Sequence, residues 1–509
     1  MPLERDLRGS KFLFKTCGIV SYLKRIRERR DLTINNIDTH KTIEQARRLL
    51  ETENLSPATK AAFLMILDLF ALVVGRLGAN SRNSSKPPSS DPNRPKTQKS
   101  SLSNRKPGGQ KGRLGTTLKA TKTPDEIVNL PLSSDALPGD SYRDGGYEAR
   151  QVVEIQISRS IIEYRAQILI DAQGKKHKAS FPEWVVSAIQ YGTSVKAHSC
   201  YLSQFQMLPY DRLRDYFESQ CGISLSVGTI YKFNEEFYKK LEGFETRTKA
   251  ELAKAKVIQV DETGINIGGL RHWLHNASND RWVHFHPHEK RGREAMDEVG
   301  ILKKFRGIAV HDHWKAYYGY RECLHALCNA HHLRELKKVI EDDKQVWAEK
   351  MIRFLNQARL SVQRSGGKLS SLKRQLYRSR YHKILSEGKK ECPPPKERLP
   401  GQRGPLKKTK ARNLLERLLN YKDDVLRFMD RVDVPFTNNT AERDIRMTKV
   451  QQKISGCFRS VQGAKAFCRA RSYILTCQKQ GITPAEALLN AFKGKVTFPQ
   501  NEPDVSTAE

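Results

Sequence analysis

The hydrophobic pattern of this chain predicts a multidomain α/β protein, and three observations carry that expectation. Short apolar runs at 257–260, 271–277, 281–286 and 307–311 have the length of strands, with a helix-length stretch at about 293–305 before the last of them. A further short strand near 324–328 runs into a helix from 331, and a long charged helical block then fills 333–431. At 509 residues, with 38% apolar and 29% charged, the chain is too long for one small core and polar enough to carry exposed segments beside its domains.

Taken in order, residues 1–78 form a helical region, basic at first between Lys24 and Arg30 and helical from about Thr42 to Leu77. Its second half, from Ala61 to Leu77, is apolar nearly all round and so asks to be buried, in the chain's own core or against a second copy. Asp68 and Arg76 lie within it, and about 17 residues is the short limit for a membrane span. Residues 79–124 are a basic arm rich in Pro, Gly and Ser with almost nothing apolar to bury, expected to be extended. Such an arm follows a phosphate backbone or reaches into a minor groove, with Arg105, Lys106, Lys111 and Arg113 as candidate contacts; a plain linker is the other reading.

Within 125–190, Val153, Ile155, Ile157, Ile161, Tyr164, Ile168 and Ile170 predict a small β-hairpin or meander over 151–170. Region 191–250 reads as helical. A helix over 210–220, a turn at Cys221-Gly222-Ile223 and a helix capped by Ser226 fit a helix-turn-helix, as they fit many ordinary helical hairpins. Thr229 and Lys232 are its candidate DNA contacts. The α/β domain begins at 251–332, is interrupted by a helical insertion at 333–431 and resumes with C-terminal helices at 432–495, leaving a tail at 496–509. Three successive strands, a helix and another strand resemble the start of a ribonuclease-H-like mixed sheet.

Lys and Arg number 90 against 56 Asp and Glu, a formal net charge of +34. A surplus spread over the whole length favours nucleic acid over a membrane surface, because each neutralised phosphate releases condensed counterions. Against that background three acidic residues stand out. Asp261 ends the apolar run Val257 to Val260, Asp312 ends the run Ile308 to His311, and Glu442 opens a helical stretch after Asn438 and Asn439. Two strand-end carboxylates and one on a later helix can converge on one sheet edge, where their repulsion is relieved by divalent cations. Glu262, next to Asp261, should face the other way and serve structure. Asn439 and Glu442 could equally form a capping box. Arg446, Lys449 and Lys453 share the helix face of Glu442 and would suit phosphate contacts.

Together the segments NSRNSSKPPSSDP (80–92), RKPGGQKG (105–112), VDETG (260–264), HDHWKAYY (311–318), CNAHHLREL (328–336) and NNTAERDIR (438–446) resemble the transposases of the insertion-sequence 66 family. The resemblance implies a ribonuclease-H-like catalytic domain with Asp261, Asp312 and Glu442 as its acidic triad. It implies two Mg²⁺ ions held there, with Mn²⁺ as a substitute, and a helical insertion between the second Asp and the Glu. Implied partners are double-stranded DNA of element ends and target, a second copy of the chain and accessory proteins of the element, in a bacterial, nucleoid-associated cytoplasmic setting. A nuclease without strand transfer and a non-catalytic DNA-binding relative are the alternatives.

Nine cysteines, odd in number and irregularly spaced, predict no disulfide framework. Many members of the resembled family carry a cysteine-rich finger after the basic arm. This chain has no cysteine between Cys17 and Cys200, so no structural zinc is expected there. Within the cluster Cys323, His325, Cys328, His331 and His332, Cys-x-x-His has half of a zinc-finger spacing with no second half apparent, and the set is too compact for a closed zinc site. The resemblance implies that Cys328 and His331 organise the catalytic edge or the nearby DNA, and ordinary packing at a strand-to-helix junction is the other reading.

Overall fold

The computed structural model describes residues 33–34, 37–77, 118–131, 143, 145–395 and 408–496, in two compact units. The candidate DNA contacts Arg105, Lys106, Lys111 and Arg113 lie outside the described residues.

The smaller unit contains residues 96–181 and 216–224. The expected hairpin over 151–170 forms later and smaller: Ile168–Ile170 pairs antiparallel with Lys176–Lys178, while 151–167 has no regular structure. Ile155, Ile161 and Val152 are exposed, so the alternation that suggested strands has no buried face to satisfy.

In the larger unit a two-residue antiparallel pair, Thr33–Ile34 with Ile37–Asp38, leads into helices α1 (Thr39–Thr52) and α2 (Pro57–Leu77). Ile43 and Val74 are buried, and Arg47 pairs with Asp68 at 2.5 Å across the two helices, which explains a carboxylate inside an apolar helix. The expected burial of α2 is only partial. Phe63, Ile66, Phe70 and Val73, spaced as one helical stripe, remain exposed.

Helices α3 (Thr193–Cys200), α4 (Tyr210–Cys221), α5 (Val227–Lys240) and α6 (Glu242–Lys254) follow. The Ser226 side chain accepts the Thr229 N–H and so caps α5, and Gly222 supplies the left-handed turn before it (φ 60°).

A five-stranded sheet is the centre of this unit. Strands β1 (Val257–Ile267), β2 (Leu270–Ser278) and β3 (Val283–His288) form an antiparallel meander. After α7 (Arg293–Val299) and the short α8 (Ile301–Lys304) come β4 (Ile308–His311) and β5 (Leu324–Leu327), both parallel to β1. The spatial order is β3-β2-β1-β4-β5. Gly300, at φ 77°, divides the stretch read as one helix at 293–305. The edge strand β3 is closed by the later helix Val461–Lys479 rather than by another strand: Phe285 N–H donates to Ser472 and Val283 N–H to Thr476, four residues apart on that helix.

Among the described residues, the stretch between β5 and the C-terminal part holds the α-helices α9 (Asn329–Asp343), α10 (Val346–Arg364), α11 (Ser371–Glu391), α12 (Lys410–Asn420) and α13 (Lys422–Leu426). One apolar core joins them to β4 and β5 through Trp347, Phe354, Leu355, Tyr381 and Leu415. Helices α14 (Asn439–Ser455) and α15 (Val461–Lys479) cover β1–β3 over a second core of Ile265, Leu274, Phe285, Ile445 and Phe467, and α16 (Pro484–Phe492) closes the described chain.

Candidate active site

Asp261 does not end its strand, as the apolar run suggested. β1 continues to Ile267 because its antiparallel ladder with β2 extends that far, whereas its parallel ladder with β4 covers only Val257–Gln259. Asp261 therefore sits just beyond the last parallel pair, where β1 has lost its β4 neighbour. Asp312 follows the last residue of β4, and its Oδ1 accepts the Trp314 N–H at 2.9 Å, which fixes the turn leaving the strand.

Glu442 reaches the same edge from α14. The helix begins after Asn438, one residue earlier than a capping box built on Asn439 would need, and the Asn438 side chain makes no cap bond. Its Nδ2 instead donates to Val260 O at 2.9 Å, and its backbone N–H donates to Cys328 Sγ at 3.1 Å. Asn276 on β2 donates to Ala441 O at 3.2 Å. Two buried asparagines thus tie the first turn of α14 to the sheet, one to β1, which carries Asp261, and one to its neighbour β2.

The three carboxylates feel one another. Burial pushes the Asp261 carboxyl well above the usual range, and the charges of Glu262, Asp312 and Glu442 add to the effect. Burial and Glu262 push Asp312 up to about 6, against the Trp314 N–H and the guanidiniums of Arg291 and Arg417. Glu442 is raised by burial and by Asp312, while Arg334 and Arg446 pull it down. Glu442 Oε1 is buried and has no hydrogen-bond partner among the described residues. The charges of Asp312 and Glu442 thus register at Asp261 and that of Asp312 at Glu442, and Glu442 keeps one buried oxygen unmatched.

Glu262 has the structural environment that its alternation with Asp261 demands. Its carboxylate is buried, accepts two bonds from Arg291 at 2.8 and 2.6 Å, and accepts the Tyr317 hydroxyl. Arg291 lies over the rings of Trp273 and Trp314. Sequence reading missed Arg291 and Tyr317; the signal was a second carboxylate in a strand that needed a cation behind it.

Cys328 is the cap residue of α9 and His331 lies in its first turn. Burial pushes the Cys328 thiol up to about 11, although backbone N–H groups of Asn438, Ala330 and His331 oppose the shift. Burial holds His331 at about 3, hence neutral at ordinary pH. Both line a cavity of about 140 Å³ together with Asp312, Trp314, Glu335 and Arg417.

Of the remaining candidates, Arg446 and Lys453 are exposed on α14 and Lys232 is exposed on α5, with Thr229 partly buried beside it. Lys449 is partly committed to the fold, because its ammonium donates to Gly264 O and burial lowers its pKa.

The sequence model of the Transposase IS66 family matches residues 188–466, which takes in the whole sheet, the helical insertion and all three carboxylates. The chain belongs to the IS66 family of transposases. A family of unknown function (DUF6444) matches residues 65–119. The uncharacterized protein y4jO of Sinorhizobium fredii (strain NBRC 101917 / NGR234) is 36% identical over 70 residues, 14% of this chain and 22% of that protein's length. Among the described residues no helix is long and apolar enough to cross a membrane.

Proposed function

We propose that this transposase cuts DNA at the ends of a mobile element and joins them to target DNA, with Asp261, Asp312 and Glu442 as its catalytic carboxylates. The observation that carries the proposal is where the three groups sit: Asp261 just past the last β1–β4 pair, Asp312 just after β4, and Glu442 in the first turn of a helix tied to Val260 and Asn276. The sheet supports a ribonuclease-H-like reading: an antiparallel meander of three strands followed by two parallel strands, in the order β3-β2-β1-β4-β5.

The three carboxylates would hold two Mg²⁺ ions, with Mn²⁺ as a substitute. Bound cations would let the carboxylates ionise together and would polarise the phosphodiester under attack. The chain's own residues do the positioning. The Trp314 N–H orients Asp312, and the asparagine ties of α14 hold Glu442 at the edge of β1. Arg334 and Arg446 set positive charge near Glu442, and Arg291 and Arg417 near Asp312, where a DNA phosphate would be received. Cys328 is a positioning residue, since its sulfur receives the N–H of the residue that starts the Glu442 helix.

The test is an assay of the purified full chain on labelled element-end DNA and a target duplex, with and without Mg²⁺. Mg²⁺-dependent nicking followed by covalent joining is expected. Hydrolysis with no joined product would leave a nuclease, and binding with no cleavage would leave a DNA-binding relative.

A further inference from the structure

Cys328 and His331 were read from sequence as half of a metal motif without a second half, and the fold supplies one further donor. A residue at a helix cap turns its side chain toward the third residue of the helix, so Cys-x-x-His at the start of α9 sets thiol and imidazole on one side of that turn. Glu442 arrives from the first turn of α14, more than a hundred residues later in the chain. One donor atom each from Cys328, His331 and Glu442 lies within 4.8 Å of the other two.

Two of these groups are incompletely satisfied. His331 Nδ1 and Glu442 Oε1 are buried without a hydrogen-bond partner among the described residues. Leaving such atoms unmatched is costly, and a shared ligand would relieve both at once. The donor set is one sulfur, one imidazole nitrogen and one carboxylate oxygen. Mg²⁺ prefers oxygen alone, whereas a borderline ion of the Zn²⁺ class takes this mixture. The sulfur stands at a helix N-terminus and faces the backbone N–H of Asn438, which offset part of the burial that keeps it a thiol; a bound ion would supply the rest of the charge needed to deprotonate it.

We propose that Cys328, His331 and Glu442 form an exchangeable site for a divalent ion of the Zn²⁺ class, and that an ion bound there withdraws Glu442 from the two aspartates. Three protein donors are one short of a closed structural set and leave a fourth position open. This is therefore a different site from a closed structural zinc. Its first half, ion binding, is independent of the proposed function; its second half, competition for Glu442, rests on it.

The test uses the reduced, metal-stripped full chain, titrated with Zn²⁺ alone against a chromophoric chelator and with Co²⁺ as a spectroscopic stand-in. One ion per chain and a thiolate-to-cobalt absorption band are expected. Cys328→Ser should abolish the band, and His331→Gln should keep it. Both should weaken Zn²⁺ binding by at least about tenfold, the least that disturbing a metal's surroundings commonly costs. Glu442→Gln should also weaken it, whereas Asp261→Asn and Asp312→Asn should bind as the parent does. Circular dichroism separates a lost ligand from a lost fold, and the cysteine and histidine variants test the site independently. Unchanged affinity in folded Cys328→Ser and His331→Gln would overturn the site, as would an equal loss in the two aspartate variants.

For the second half, Zn²⁺ added to the Mg²⁺-supported cleavage reaction should inhibit the parent chain at concentrations that fill the site. Full cleavage with the site filled would overturn the competition. A chain that binds Zn²⁺ as described but never cleaves DNA would instead remove the transposase chemistry and leave the ion site standing.

Discussion

Asp312 gives the most direct residue-level test of strain at the carboxylate edge. Its proton affinity in the folded chain is raised from 3.8 to about 6, so between those values the folded state binds more protons than the unfolded one. It therefore contributes stability that is present below about 3.8 and is lost as pH rises through about 6. The buried histidines near it act in the opposite sense: His331, His332 and His311 are depressed, so their contribution is lost as pH falls. The prediction is accordingly a difference. Asp312→Asn should gain on the parent by about 2 kcal/mol across that window in metal-free buffer, by urea unfolding. A parallel pH dependence in the two proteins would mean that Asp312 is not strained. Glu262 behaves as a partner and not a ligand, so Glu262→Gln, which strands Arg291, should cost about 2–3 kcal/mol of stability. A loss below roughly 0.5 kcal/mol, the range of an ordinary surface change, would show that the pair is not structural.

At the scale of elements, α14 matters most, because Glu442 is placed by its docking and not by its own contacts. Asn438→Ala removes the bond to Val260 O and should cost about 1–3 kcal/mol, a buried acceptor being left unmatched. It should also lower the cleavage rate more than it lowers DNA affinity. Equal falls in rate and affinity would place Asn438 in DNA binding instead. Much of this was legible in the sequence. The strand runs, the helical insertion and the Ser226 cap are local patterns, and they stand close to where periodicity put them. What was not legible depends on pairing partners. β1 extends past Asp261 because β2 does, the hairpin near 168 is short because residues 151–167 find no buried face, and the orientation of Asn438 toward Val260 is a contact 178 residues apart in sequence. Cys328 and His331 were visible as a spacing, but Glu442 as their neighbour was not, since it needs α14 laid across β1.

For the whole molecule, the apolar stripe of α2 and the basic arm after it remain to be given roles. Phe63 and Ile66 are 48% and 59% exposed and share the stripe with Phe70 and Val73, so a second copy is the partner we propose for it. A double Phe63→Glu, Ile66→Glu variant should sediment as a smaller species than the parent; identical sedimentation would assign the stripe to something else. Residues 81–120 hold ten Lys and Arg, each worth up to about 0.9 in the slope of log affinity against log salt if it meets a phosphate. Deleting them should flatten that slope, and an unchanged slope would make the segment a linker.

If three carboxylates separated in sequence act as one phosphoryl-transfer site, neutralising each in turn must stop the reaction. Asp261→Asn, Asp312→Asn and Glu442→Gln keep shape and remove charge. Each should abolish Mg²⁺-dependent cleavage of labelled element-end DNA while leaving its binding, measured in the same samples, within about threefold of the parent, a change of under 1 kcal/mol. Parental cleavage by any one of the three would remove that residue from the site and contradict the account.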